Sequence, residues 1–264
     1  MKDVSRKLTQ NLLYGGNILL LRKELFNFLK NPRTLSSDKK LYFKFYELGK
    51  LFAFNIAIVG LLSICLSLIF KEKTNINSSI FSYPFWPVIW GPILEELMFR
   101  FQLRISKFNL SLGFGILSAL PLGLLKYGVW NQLYSFTITF LIITILLNIK
   151  PILRKVTLML NKNYLIYFYA LSFLFGILHM TNPYNHELFN KFGYIAFLSI
   201  IPQLFTGLIM GFIRLKYGIV FSIIYHMFFN FYAIITMTTL ISSFFVVCLF
   251  PLNYYFLTEE HSIK

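Results

Sequence analysis

The sequence predicts an all-α fold, a polytopic membrane protein of about eight transmembrane helices behind a basic, amphipathic N-terminal segment. Two observations carry this. The 264 residues are 57% hydrophobic, 19% aromatic and 13% charged, with a mean hydropathy of +0.66. An ordinary soluble domain has fewer apolar residues and about twice the charged share. The apolar residues also gather into runs of span length, about 20 residues each, separated by short polar gaps.

In chain order, residues 1–50 form the basic N-terminal region. Leu8, Leu12, Leu19, Leu25, Phe26 and Leu29 alternate there with Arg6, Lys7, Arg22, Lys23 and Lys30. This predicts an amphipathic helix, broken at Gly15 and Gly16, that either lies on lipid headgroups or packs on the rest of the protein. Residues 51–264 form the membrane domain. Its apolar runs are 51–70, 81–106, 109–125, 133–149, 164–182, 193–213, 217–235 and 237–257. The third is short, and a re-entrant or tilted segment is the alternative to a full span. Within the second, "YPFWPVIWGP" places prolines at 84, 87 and 92. Each removes a backbone donor, so neighbouring helices or water must meet the freed carbonyls.

The net charge of +15 is distributed in a way that favours membrane contact over nucleic acid. With the N-terminus inside, the cytoplasmic segments are 1–50, the region around 100–107, 150–163, 214–216 and the C-terminal tail. They hold 21 of the 25 lysines and arginines, and Lys71, Lys73, Lys126 and Lys191 fall on the other side. This bias predicts both termini in the cytoplasm, in a bacterial inner or plasma membrane, with anionic headgroups as the partner of the basic segments. No nucleic-acid-binding motif accompanies the charge. Cys65 and Cys248 each lie inside an apolar run, without metal-like spacing or a disulfide framework. No cleavable signal peptide is expected, because "NILLL" is too short for one.

Of the ten acidic residues, only Glu95 and Glu96 lie within an apolar run, in "GPILEELMFR". Arg100 follows Glu96 by four residues and shares its helical face, whereas Glu95 points about 100° away. The three either form a structural ion pair between spans, or Arg100 neutralises Glu96 and leaves Glu95 for proton transfer. If the helix restarts at Pro92, both carboxylates fall in or next to its first turn. The dipole there favours negative charge, against desolvation and the like-charged neighbour.

His179 ends "FYALSFLFGILHM" with Phe175 four before it, and His226 in "YGIVFSIIYHMFFNFY" has Asn230 four after it. His179 reads as an interfacial or core group, or as a catalyst. His226 and Asn230 read as a helix–helix hydrogen-bonding pair, or as donors converging on an oxyanion. Together, a carboxylate, two imidazoles and a carboxamide supply what amide hydrolysis requires. There is no G-x-S-x-G elbow, no cysteine with a basic neighbour one turn away, and no H-E-x-x-H.

The motifs "EELMFR", "FGILH" and "HMFFN", in this order in a multi-span chain, resemble the signatures of the CPBP family. This family comprises the CAAX proteases and bacteriocin-processing enzymes and is also called Abi. The resemblance covers roughly residues 85–235. It departs from the family in the longer separation of the first two motifs, which leaves room for the added runs 109–125 and 133–149. Because two spans are added, the start of the glutamate helix and the end of the His179 helix stay on one membrane side.

The resemblance implies an intramembrane endopeptidase acting on a membrane-anchored protein or peptide. Glu95 would activate the water, and Glu96 and Arg100 would support it or contact substrate. His179 would position the water or the reacting carbonyl, and His226 with Asn230 would form the oxyanion hole. No cofactor is favoured, since no spacing demands a metal. The metalloprotease account of the family would instead place a zinc ion on Glu95, His179 and His226 with one position open. The alternatives are a catalytically silent scaffold, a peptide-immunity protein, or a proton-coupled transporter using the same groups as a relay. CAAX-processing relatives imply a site open to the cytosol, whereas the charge bias places it on the opposite side. No oligomeric state follows from the sequence.

Overall fold

The computed structural model describes residues 18–33, 35, 39–70, 86–124, 129–181 and 183–238, and among these it is helical with no strand. The α-helices are α1 (Ile18–Lys30), α2 (Leu41–Phe70), α3 (Gly91–Phe99), α4 (Lys107–Leu124), α5 (Val129–Asn148), α6 (Lys150–Lys162), α7 (Tyr164–Leu178), α8 (Pro183–Phe192), α9 (Ile201–Tyr217) and α10 (Ile219–Thr238). A π-helical turn, Trp86–Trp90, leads into α3, and 3-10 turns cover Phe101–Leu103, His179–Thr181 and Gly193–Ile200. The described residues divide into two compact units. One is drawn from residues 1–72 and 93–225, the other from 73–92 and 226–264.

Three helical stretches are long and apolar enough to cross a membrane: Leu41–Leu66, Trp130–Asn148 and Leu188–Tyr217. Tyr164–Leu178 and Ile219–Ile235 are apolar but shorter. On α5, Trp130, Tyr134, Ile138, Ile142 and Ile145 are all exposed. A continuous apolar surface of this kind suits lipid rather than water.

Several expected boundaries move. The first run begins at Leu41 rather than at 51, because Leu41, Phe43 and Phe45 extend it through the intervening Lys44, Glu47 and Lys50. The run 81–106 is not one helix. Around Pro87 and Pro92 it becomes a π turn, a short α3 and a 3-10 turn. The gap 150–163 is itself a helix, α6, started by Pro151 in its first turn. The run 237–257 and the Gly15–Gly16 break lie outside the described residues, apart from the last residues of α10.

Small residues set the packing of the larger unit. A Cβ on Gly176 would stand 2.7 Å from Leu204 Cδ2, and one on Gly211 would stand 2.6 Å from Phe168 Cε2. Gly207 and Gly211, spaced G-x-x-x-G, therefore let α9 approach α7 closely, as small residues do between membrane helices. Helix α1 buries Leu21, Leu25 and Phe28. The Phe28 ring lies edge-on to Phe168 and Phe212 at centroid distances of 5.3 and 5.1 Å. Its apolar face is thus turned into the protein, the second of the two readings of this segment. Helices α4 and α5 form a hairpin joined by Ser118 and Ser135, the latter donating to the Ser118 carbonyl at 3.0 Å. Gly113 seats that hairpin against Gln102, whose Cδ would lie 2.9 Å from an added Cβ.

Polar contacts collect at one end of this unit. Lys216 on α9 pairs with Glu24 of α1 at 2.6 Å and with Glu47 of α2 at 3.3 Å. Glu47 also receives the Tyr217 hydroxyl and Lys39. Arg104 donates to the Leu215 carbonyl at 3.3 Å, and Lys107 donates to Asn148 at 2.9 Å. Elsewhere in the unit, Leu188 and Ala196 pack with Leu66, Met180 and Phe192 into a separate apolar cluster.

Candidate functional site

Helix α3 carries both glutamates past its first turn, which holds no acidic residue. The preceding π turn also removes a free helix start at Pro92, so the N-terminal dipole acts less on these carboxylates than the sequence suggested. The far end of α3 is fastened firmly. Arg214 donates from Nε to the Arg100 carbonyl at 3.2 Å and from Nη2 to the Phe101 carbonyl at 3.1 Å. The Tyr164 hydroxyl donates to the Leu103 carbonyl at 2.6 Å. A cation at exposed helix-end carbonyls is stabilising. Gln102, fully buried, donates to the Met98 carbonyl at 2.7 Å and accepts from the Tyr167 hydroxyl at 3.0 Å.

On this fixed support Glu96 and Arg100 pair at 3.5 Å, with side-chain exposures of 0% and 2%. The pairing expected from the four-residue spacing is present. Neither Nη atom of Arg100 makes a hydrogen bond among the described residues. Instead the guanidinium lies 3.8 Å from the centroid of the Phe175 ring, a desolvated cation–π contact. Gly207 makes room for it, since an added Cβ would be 3.0 Å from both Arg100 Nη2 and Phe175 Cδ1.

Phe175 continues the chain of contacts to His179. The two rings are 4.6 Å apart, and His179 Nδ1 is 2.9 Å from the Phe175 carbonyl oxygen. A carbonyl only accepts, so Nδ1 carries the hydrogen and, in the neutral ring, Nε2 the lone pair. The first two motifs are therefore joined through Glu96, Arg100, Phe175 and His179. Glu95, on the same helix as Glu96, is half-buried.

One contributor was not singled out in the sequence. The Ser222 hydroxyl, fully buried, donates to Glu96 Oε2 and lies 3.1 Å from the Met210 carbonyl. Its signal is the spacing Ser222, His226, Asn230, a four-residue series down one face of α10. Arg214 was also missed as a site residue, because its place at a span end reads only as topology.

His226 and Asn230 belong to the other unit. His226 is buried. Asn230 Nδ2 donates to the Pro87 carbonyl at 2.8 Å. In a π turn that carbonyl would pair with the N–H five residues on, which is Pro92 and has none. Asn230 thus satisfies a carbonyl freed by proline, using one of its two amide hydrogens. Among the described residues no group of three His, Cys, Asp or Glu side chains is placed to hold a metal ion. Compared with family models, curated proteins and solved structures, the chain shows no match.

Proposed function

We propose that the protein is an intramembrane endopeptidase of the CPBP type, with about eight spans and both termini in the cytoplasm, cutting a membrane-anchored protein or peptide. The observation that supports this reading is the Arg100 guanidinium stacked 3.8 Å from Phe175. It joins the glutamate motif to the histidine motif across a long stretch of sequence. A structural ion pair alone needs Glu96 and Arg100, but not Phe175 with a histidine held on its carbonyl.

Glu95 takes a proton from water as the oxygen adds to the scissile carbonyl carbon, and returns that proton to the amide nitrogen as the C–N bond breaks. His179, held by Nδ1 on the Phe175 carbonyl, positions that water or the reacting carbonyl. Arg100, held by Glu96, keeps Nη donors for a substrate carbonyl. His226 and Asn230 take the oxyanion role that the resemblance assigns them, with the second amide hydrogen of Asn230 serving it.

Membranes containing the wild-type chain and Glu95→Ala are compared by proteomics to find a protein that accumulates uncut in the variant. With that substrate purified, Glu95→Gln lowers the cleavage rate by about a hundred- to ten-thousand-fold. Unimpaired cleavage by both Glu95→Ala and His226→Ala overturns the mechanism. Proton flux in liposomes that is lost in Glu95→Gln, without peptidase activity, identifies a transporter instead. Partner binding that survives loss of all the site residues identifies a scaffold.

A further inference from the structure

Between Glu96 and Glu187 the chain has eight lysines and arginines and no acidic residue. Half of these cations, Lys150, Arg154, Lys155 and Lys162, stand on α6. At 100° per residue they occupy an arc of about 140°. Ile152, Leu153, Val156, Met159 and Leu160 occupy an opposing arc of about 120°. No residue of α6 is fully buried, and Ile152, Leu153, Val156 and Leu160 are half-covered while all four cations are exposed. None of the four is in an ion pair or hydrogen bond among the described residues. Their counter-charge comes from outside the described chain.

Placement selects its source. Helix α5, apolar and of span length, ends at Asn148, and the apolar α7 begins at Tyr164. A thirteen-residue helix tied at both ends to membrane helices stays at headgroup depth. Leu158 sits in the middle of the basic arc and is 60% exposed, beside Met159 at 55%. A greasy side chain among cations is poorly placed for water and well placed for an interface, where it enters the acyl boundary while the cations meet phosphates. We propose that the basic face of α6 is a binding surface for anionic lipid headgroups, recognising their phosphates with Lys150, Arg154, Lys155 and Lys162. A soluble acidic protein would match the charge but gives no reason for the exposed Leu158 or for the bracketing spans. This inference does not depend on the proposed peptidase activity.

The test uses the full chain with Leu158→Cys, and with Cys65 and Cys248 replaced by serine, labelled with a polarity-sensitive fluorophore in nanodiscs. Two lipid compositions are compared, phosphatidylcholine alone and an equal mixture with phosphatidylglycerol. Emission shifts to the blue and quenching by neutral acrylamide falls when phosphatidylglycerol is present. Neutralising Lys150, Arg154 and Lys155 to Gln weakens the preference for phosphatidylglycerol by up to about fivefold per cation. Lys150→Arg with Lys155→Arg, Arg154 being kept, retains it. Equal emission in the two lipids overturns the proposal without reference to any variant, as does a phosphatidylglycerol response unchanged by the neutralising substitutions. A label that is wet in both lipids but covered on adding soluble polyglutamate assigns the face to an acidic protein instead.

Discussion

Arg100 is charged and almost fully buried, so what surrounds it decides whether the larger unit holds together. Arg100→Met leaves Glu96 buried without its counter-charge, which destabilises by about 3–5 kcal/mol. Glu96→Gln with Arg100→Met removes both charges and recovers most of that loss. Thermal unfolding of the purified chain in detergent reads this, and a melting temperature unmoved by Arg100→Met shows that the pair contributes nothing. Ser222→Ala removes one hydrogen bond to the same carboxylate and costs about 1–3 kcal/mol. Its rate effect is larger than its stability effect if Glu96 positions the catalytic water. Equal, small losses in both mark Ser222 as structural. Ser222 is hard to see in the sequence because a serine in an apolar run carries no charge, and only its one-turn spacing from His226 sets it apart.

At the scale of elements, the close approach of α7 and α9 rests on glycines that no larger side chain can replace. Gly211→Ala drives a methyl against the Phe168 ring and destabilises by about 1–3 kcal/mol. Gly60 on α2 has nothing within 4 Å of its missing Cβ. Gly60→Ala is therefore neutral, or stabilising by up to about 1 kcal/mol through helix propensity. Equal melting temperatures for Gly211→Ala and Gly60→Ala would show that the close contact with Phe168 is relieved without cost. The apolar elements are legible because long runs of Leu, Ile and Phe need no tertiary partner to be recognised. Helix α6 is not, since its cations lower the average hydropathy although its apolar residues keep helical spacing. The prolines of the second run announce a break, but that Asn230 meets the freed Pro87 carbonyl is a tertiary fact that spacing does not show. Spacing relates residues within one helix, so it finds Glu96 with Arg100 and Phe175 with His179. It cannot find Arg100 on Phe175, which joins two helices.

For the whole molecule, parts of three segments that charge bias assigns to the cytoplasm, 1–50, 100–107 and 214–216, meet in the larger unit. Lys216 reaches Glu24 and Glu47, Arg104 and Arg214 reach Leu215 and Phe101, and Tyr164 reaches Leu103. Residues far apart in sequence are thus gathered at one end of this unit. The cluster of Leu66, Met180, Leu188, Phe192 and Ala196 holds the ends of α2 and α7 together, and these two helices start at the first end. If the basic end faces the cytoplasm, position 158 on α6 and position 194, whose tyrosine is 84% exposed, lie on opposite sides. In a background without Cys65 and Cys248, a membrane-impermeant maleimide labels Cys at 194 in right-side-out membranes and labels Cys at 158 only after they are opened. The reverse pattern inverts the topology and moves His179, at the end of α7, to the cytosolic side expected for CAAX-processing enzymes. Labelling of both from one side breaks the arrangement, because α7 would then enter and leave the bilayer on the same face. The first outcome places the His179 end of the site away from the cytoplasm, and directs the search for a substrate to proteins exposed on that side.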